Sequence, residues 1–125
     1  MDDKLAYLTM ALEYQRIHMS LRPVDRRPER LRIRAAILEM DEAPAETAET
    51  LQRLMAYTVE DMPPTGDDLA VLVDTLTFRL GETNRADAWR HIGMSPNHGR
   101  DLFTRRLSGV AWPLWFTLRH HALGE

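Results

Sequence analysis

The sequence predicts an all-α fold, a helical N-terminal extension packed on or beside a C-terminal helix-turn-helix bundle, and three observations predict it. Apolar residues recur at helical spacing through most of the chain. Prolines and capping residues divide that pattern into segments of helix length. The one alternating stretch, Leu31, Ile33 and Ala35, is short and runs on into the helix formers AAILEM, so helix is favoured there over strand.

The first helix is expected from Asp3 to about Leu21, with Leu5, Tyr7, Leu8, Leu12, Tyr14 and Ile17 on a broad apolar face, and Pro23 ends it. Asp25 then caps a helix from about Pro28 to Met40, which is expected to bury Leu31, Ile37 and Leu38 with Ala35 beside them. Ala43 or Pro44 opens a third helix toward Asp61, with Ala48, Leu51, Leu54, Met55 and Thr58 as its inward stripe. Pro63 and Pro64 stop it. They mark the expected boundary between residues 1–62, a helical extension for dimerisation or partner binding, and residues 63–125, a helix-turn-helix DNA-binding domain. Thr65 caps the fourth helix, where Asp67 and Asp68 suit the positive end of the helix dipole and Leu69, Leu72, Val73, Leu76 and Leu80 form the core face.

The stretch RADAWRHIGMSPNHGRDLFTRR, Arg85 to Arg106, reads as two short helices joined by a glycine turn. Asn84 or Thr83 caps the first, whose apolar residues are Ala86, Ala88, Trp89 and Ile92, and Gly93 sits where the chain reverses. Ser95 and Pro96 start the second, since a serine hydroxyl accepts from an orphan backbone N–H and proline at the first helical position needs no donor. That helix, from about Pro96 to Leu107, anchors itself through Leu102, Phe103 and Leu107 and holds Asn97, His98, Arg100, Asp101, Thr104 and Arg105 outward. Such a face suits DNA reading, because arginine can bond guanine and asparagine adenine at two points each, while arginine and threonine hold phosphates. Asn97 and Arg100 are the expected base contacts, His98 and Thr104 their support, and Arg90, Arg105 and Arg106 the phosphate contacts. A closing helix follows from Pro113 to Leu123.

The arrangement resembles the helix-turn-helix domains of the phage-repressor-like (lambda-repressor-like) superfamily, and the resemblance runs on through LSGVAWPLWFTLRHHAL, covering roughly the last half of the chain. On that comparison Gly93 matches the turn glycine, Ile92 and Leu102 match buried positions, and Gly109 matches the glycine that ends the recognition helix. Trp89 and Gly99 depart from the pattern, the first standing where the family prefers a small residue and the second where it places a β-branched one. Ala88 can take the small position if the helix is rotated slightly, whereas Gly99 weakens its helix by up to about 1 kcal/mol relative to alanine. The resemblance implies double-stranded DNA as the partner.

Composition frames these expectations. The 125 residues, 44% apolar and 28% charged, suffice for a real core and argue against disorder. Cysteine is absent, so disulfides are excluded and a zinc site would need histidines and carboxylates. The N-terminus is acidic and interrupted by Glu13, Gln15 and Arg16, so neither a signal peptide nor a membrane span is expected, and a cytoplasmic location is.

Net charge is −3, which argues against non-specific coating of nucleic acid, but the charge is segregated. Residues 16–34 carry seven arginines against Asp25 and Glu29, residues 39–68 carry nine acids against Arg53, and residues 81–125 return to a balance of +2. The arginine run is either a second nucleic-acid contact or the partner of the acidic belt, within one chain or across a dimer, and the second is favoured because the belt would otherwise be an unbalanced negative face.

Other chemistry finds less support. Four histidines, His91, His98, His120 and His121, lie within a short span, but no HExxH and no His pair at i,i+4 is present, and no metal or other cofactor is expected. No phosphate loop, cysteine nucleophile or GxSxG motif occurs, and no enzyme is read here. The aromatic cluster AWPLWF is expected to pack Trp112, Trp115 and Phe116 against Trp89 and Phe103 in preference to forming a partner surface. The function expected is a sequence-specific transcriptional regulator, a homodimer because two-fold symmetry doubles the contacts of one helix-turn-helix at a palindromic site. Its rival is a non-enzymatic protein-interaction module, an inhibitor or adaptor that uses the N-terminal helices and a repressor-like fold without binding DNA, as the acidic pI, the acidic belt and Gly99 would favour.

Overall fold

A computed structural model describes residues 1–81, 84–104 and 110–124, and among them it contains seven helices and no strand. Helix α1 spans Asp3–His18 and starts at Asp2, whose carboxylate accepts from the Lys4 N–H at 2.8 Å. Helix α2, Pro23–Leu38, begins earlier than expected, because Pro23 has no N–H to leave unpaired and therefore opens a helix as readily as it closes one. Its inward face also differs from the expected one. Arg30, Ile33 and Ile37 are buried, whereas Leu31 and Leu38 are 41% and 63% exposed and Ala35 faces out with them. The deciding contact is Arg30, which lies over the Tyr14 ring, 4.6 Å from its centroid, and donates to the Tyr14 hydroxyl at 3.0 Å. A charged residue thus occupies an inward position that an apolar count assigns to its neighbours.

Helix α3, Ala45–Ala56, stops before Thr58. Its last carbonyls are held from elsewhere, with Arg119 Nη1 donating to Leu54 O at 3.2 Å, Met55 O at 3.5 Å and Tyr57 O at 3.4 Å. Leu51, Leu54 and Met55 face the core as expected, but Thr47 and Thr50 are buried beside them and Ala48 is exposed, since the Thr47 hydroxyl meets the Thr9 hydroxyl of α1 at 3.0 Å.

Helix α4, Gly66–Arg79, starts at Thr65, whose hydroxyl accepts from the Asp68 N–H, and is buried on every side from Val71 to Phe78. A helix buried all round belongs at the centre of a bundle. Around it pack α1, α5 (Arg85–His91), α6 (Pro96–Thr104) and α7 (Trp112–Leu123). One buried cluster draws Leu8 and Leu54 from before the double proline together with Leu72, Leu76, Trp89, Trp115 and Leu118 from after it. Pro64 is itself buried, and its carbonyl accepts from the Val110 N–H. A second cluster, Ala6, Met10, Tyr14, Ile33, Ile37 and Phe78, joins α1 and α2 to the end of α4.

The acids buried on α4 are each paired. Asp74, 1% exposed, accepts two bonds from Arg85, Nε at 2.7 Å and Nη2 at 2.8 Å, and a third from Gln15 at 3.1 Å, tying α1, α4 and α5 together. Burial opposes the Arg85 charge, but the bond to Asp74 and its attraction outweigh this and hold the Arg85 pKa above its usual value. Asp68 accepts from Arg53 at 2.8 Å and from the Tyr57 hydroxyl at 2.6 Å. Burial and this bond push Tyr57 up to about 12.

Trp115 is buried and stands edge-on to Tyr57 with centroids 5.2 Å apart, while Trp112 stacks on Phe116 at 5.5 Å. The aromatic residues of α7 therefore close over the end of α3 with Tyr57 as a ring partner, and they share one apolar cluster with Trp89 and Phe103 as expected. None of the described helices is long and apolar enough to cross a membrane.

Candidate nucleic-acid interface

The α5–α6 pair owes its shape to four local devices. The Asn84 side chain accepts from the Asp87 N–H at 3.1 Å and starts α5. Gly93 ends it with φ at +81°, in the region that favours glycine. The turn closes with the Gly93 N–H on Arg90 O at 3.0 Å and the Met94 N–H on Trp89 O at 2.9 Å, the paired bonds of a Schellman motif. Ser95 restarts the chain, its hydroxyl accepting from the His98 N–H at 3.2 Å, with Pro96 next in line.

The two off-pattern residues of this pair explain each other. Gly99 is buried against the Trp89 indole, and a Cβ at position 99 would lie 2.3 Å from Trp89 Cδ2 and Cε2. A bulky ring on one helix thus fits where the other helix has no side chain. Trp89 is only 2% exposed and also meets Phe103 at 5.6 Å. The helix-propensity cost of Gly99, about 1 kcal/mol, is offset by burial of an indole, one of the largest apolar surfaces a side chain can bring to a core. Ile92 and Leu102 are half-buried and pack against the same core.

The residues expected to touch DNA divide into three groups. Asn97, His98 and Arg100 are exposed on the first turns of α6, as is Asp101 beside them. Arg90 is exposed on α5, where it pairs with Asp87 at 3.3 Å. The Thr104 side chain, Arg105 and Arg106, like Thr83, Leu107 and Gly109, lie outside the described residues.

Beside α6 the structure opens a cleft of about 620 Å³ between the first half of α2 and the α5–α6 pair. Among the described residues five arginines, Arg26, Arg27, Arg30, Arg85 and Arg100, line it together with His18, against the single carboxylate of Asp87. Sequence reasoning missed this gathering by favouring the acidic belt as the partner of the arginine run. Arg22 instead pairs with Asp25 at 2.9 Å and Arg32 with Glu29 at 2.8 Å, both within the run, while Asp68 of the belt takes Arg53. The four-residue spacing of Arg26 and Arg30, which puts them on one helical face, was the signal available.

The cleft is electropositive down to its floor. His18 has its pKa lowered, first by burial and then by the positive charges of Arg85, Arg26 and Arg30 against the opposing pull of Asp74, and its Nδ1 lies 2.9 Å from the Tyr14 hydroxyl. Tyr14 has its pKa raised by burial, which outweighs the nearby Arg30 charge.

The remaining histidines sit elsewhere. The His91 and His121 rings lie edge to face at 5.1 Å, and among the described residues no three His, Asp or Glu side chains gather as a metal site would require. No family model matches the chain, and no curated protein or solved structure does either.

Proposed function

We propose that this chain is a sequence-specific DNA-binding transcriptional regulator that acts through α5 and α6 in the manner of the phage-repressor-like helix-turn-helix domains. One observation carries the proposal. Asn97, His98 and Arg100 stand exposed on the opening turns of a helix braced by a glycine turn and by the Trp89–Gly99 contact. Side chains that read base edges must project in this way from the N-terminal part of a rigidly held helix. Asn97 and Arg100 are the base contacts, His98 supports them, and Arg90 is a phosphate contact.

The protein acts as a homodimer. Val24, Leu31 and Leu38, spaced seven apart and exposed at 73%, 41% and 63%, form an apolar row on α2 that suits a second copy. The test is a mobility shift with DNA from upstream of the chain's own coding sequence, at two salt concentrations and with unrelated competitor DNA. A specific, salt-sensitive shift that Asn97→Ala and Arg100→Ala each weaken is the expected result. Folded protein that gives no shift transfers the proposal to a protein-interaction module docking through the same α2 row.

A further inference from the structure

The arginines of the cleft include one that is buried with no carboxylate partner among the described residues. Arg30 is 5% exposed, and its only side-chain partner among the described residues is the neutral Tyr14, through a hydrogen bond and the ring face. Its Nε and that of Arg26 are buried with no hydrogen-bond partner among the described residues. Among the described residues Asp87, the carboxylate that lines the cleft, pairs with Arg90, and Asp74 pairs with Arg85. A buried cation without a counter-ion is costly, and the cost is recovered when an anion arrives.

We propose that the cleft is a phosphate-binding site, in which Arg30 at the floor and Arg26 and Arg27 at the rim hold the oxygens of one phosphate-bearing ligand. Planar guanidinium groups bond phosphate oxygens in pairs, so several converging arginines suit a phosphate better than a singly charged carboxylate. A cavity of about 620 Å³ lies within the range of small-ligand sites and leaves room for a group attached to the phosphate. The inference stands whether or not α6 reads DNA.

The experiment titrates the full chain with pyrophosphate at constant ionic strength, chloride serving as control, and follows binding by calorimetry. Saturable binding is expected, weakened about ten-fold or more in R26A/R27A, since losing even one of the charge-assisted hydrogen bonds these two residues make accounts for about ten-fold. R27A alone, at an exposed position, gives the same comparison on a smaller scale should the double variant not fold. Two further arms separate the sources of the phosphate. Duplex DNA that displaces pyrophosphate, with a salt slope shallower by about 1 for each phosphate that R26A/R27A no longer neutralises, supports a nucleic-acid backbone phosphate. Pyrophosphate binding that survives saturation with duplex, or that occurs in a chain with no duplex affinity, supports a small phosphate-bearing ligand and, in the second case, sinks the DNA reading alone. Pyrophosphate binding that is absent or unaltered in the arginine variants, together with an unaltered salt slope, overturns the proposal.

Discussion

Charges are buried in two regions of this molecule, and the two handle them in opposite ways. Along α4 every buried acid has a cation or a phenol within hydrogen-bond reach, as Asp74 has Arg85 and Asp68 has Arg53 and Tyr57. In the cleft between α2 and α6 the arginines outnumber the carboxylates, and Arg30 is buried beside a neutral tyrosine. The first arrangement is self-sufficient and serves the fold. The second is completed from outside, which is what a binding site requires.

The sharpest way to break this comparison is at Asp74. Asp74→Ala strands the Arg85 guanidinium in a half-buried place and is expected to cost about 3 to 5 kcal/mol, read as a lower denaturation midpoint in urea. Replacing both partners with apolar residues of similar size, as in D74L/R85M, should cost much less, because no charge is then left alone. A small loss for Asp74→Ala would mean that the α4 pairs are not what closes the core.

Gly99→Ala sets two effects of opposite sign against each other. Helix propensity alone predicts a gain of about 1 kcal/mol. The Cβ would meet the Trp89 ring at 2.3 Å, so a net loss of about 1 to 3 kcal/mol is expected, and Trp89→Leu in the same chain should recover part of it. Thermal unfolding of the single and double variants decides the sign.

Arg100→Ala should separate binding from stability. It is expected to weaken cognate DNA binding by about 1 to 3 kcal/mol if Arg100 reads a base, while stability changes by no more than about 0.5 kcal/mol at this exposed position. Unaltered operator binding would remove Arg100 from the base-reading residues.

The pH responses of the two regions should be smallest and should differ in direction. The His18 pKa is lowered on folding, so its contribution is fully present above the unfolded value near 6.5 and declines as pH falls through the folded one. Tyr57 is pushed up to about 12, so its contribution is present below the unfolded value near 10 and is lost as pH rises from there. Unfolding midpoints measured across pH should lose the acid-side slope in His18→Gln and part of the alkaline-side slope in Tyr57→Phe, the remainder belonging to Tyr14, whose pKa burial also raises. An acid-side slope retained in His18→Gln would assign it to other groups.

What the sequence by itself determined is local. Thr65, Asn84, Ser95 and Gly93 start or stop helices through bonds that span three to five residues, so the all-α class, the start of α4 and the α5–turn–α6 unit were legible before any packing was known. The exposed face of α6 was legible for the same reason, since Asn97, His98 and Arg100 follow from where that helix begins. Only the tertiary structure decided which face of α2 turns inward and that Thr47 and Thr50 join Leu51, Leu54 and Met55 on the inner side of α3. Tyr14 draws in Arg30, and Thr9 meets Thr47. It also decided that Trp89 needs Gly99 and that Arg26, Arg27 and Arg30 join Arg100 in one cleft. Each of these depends on a partner far along the chain, and periodicity assigns inward positions by apolarity alone, so a buried arginine or a functional glycine leaves no signal in it.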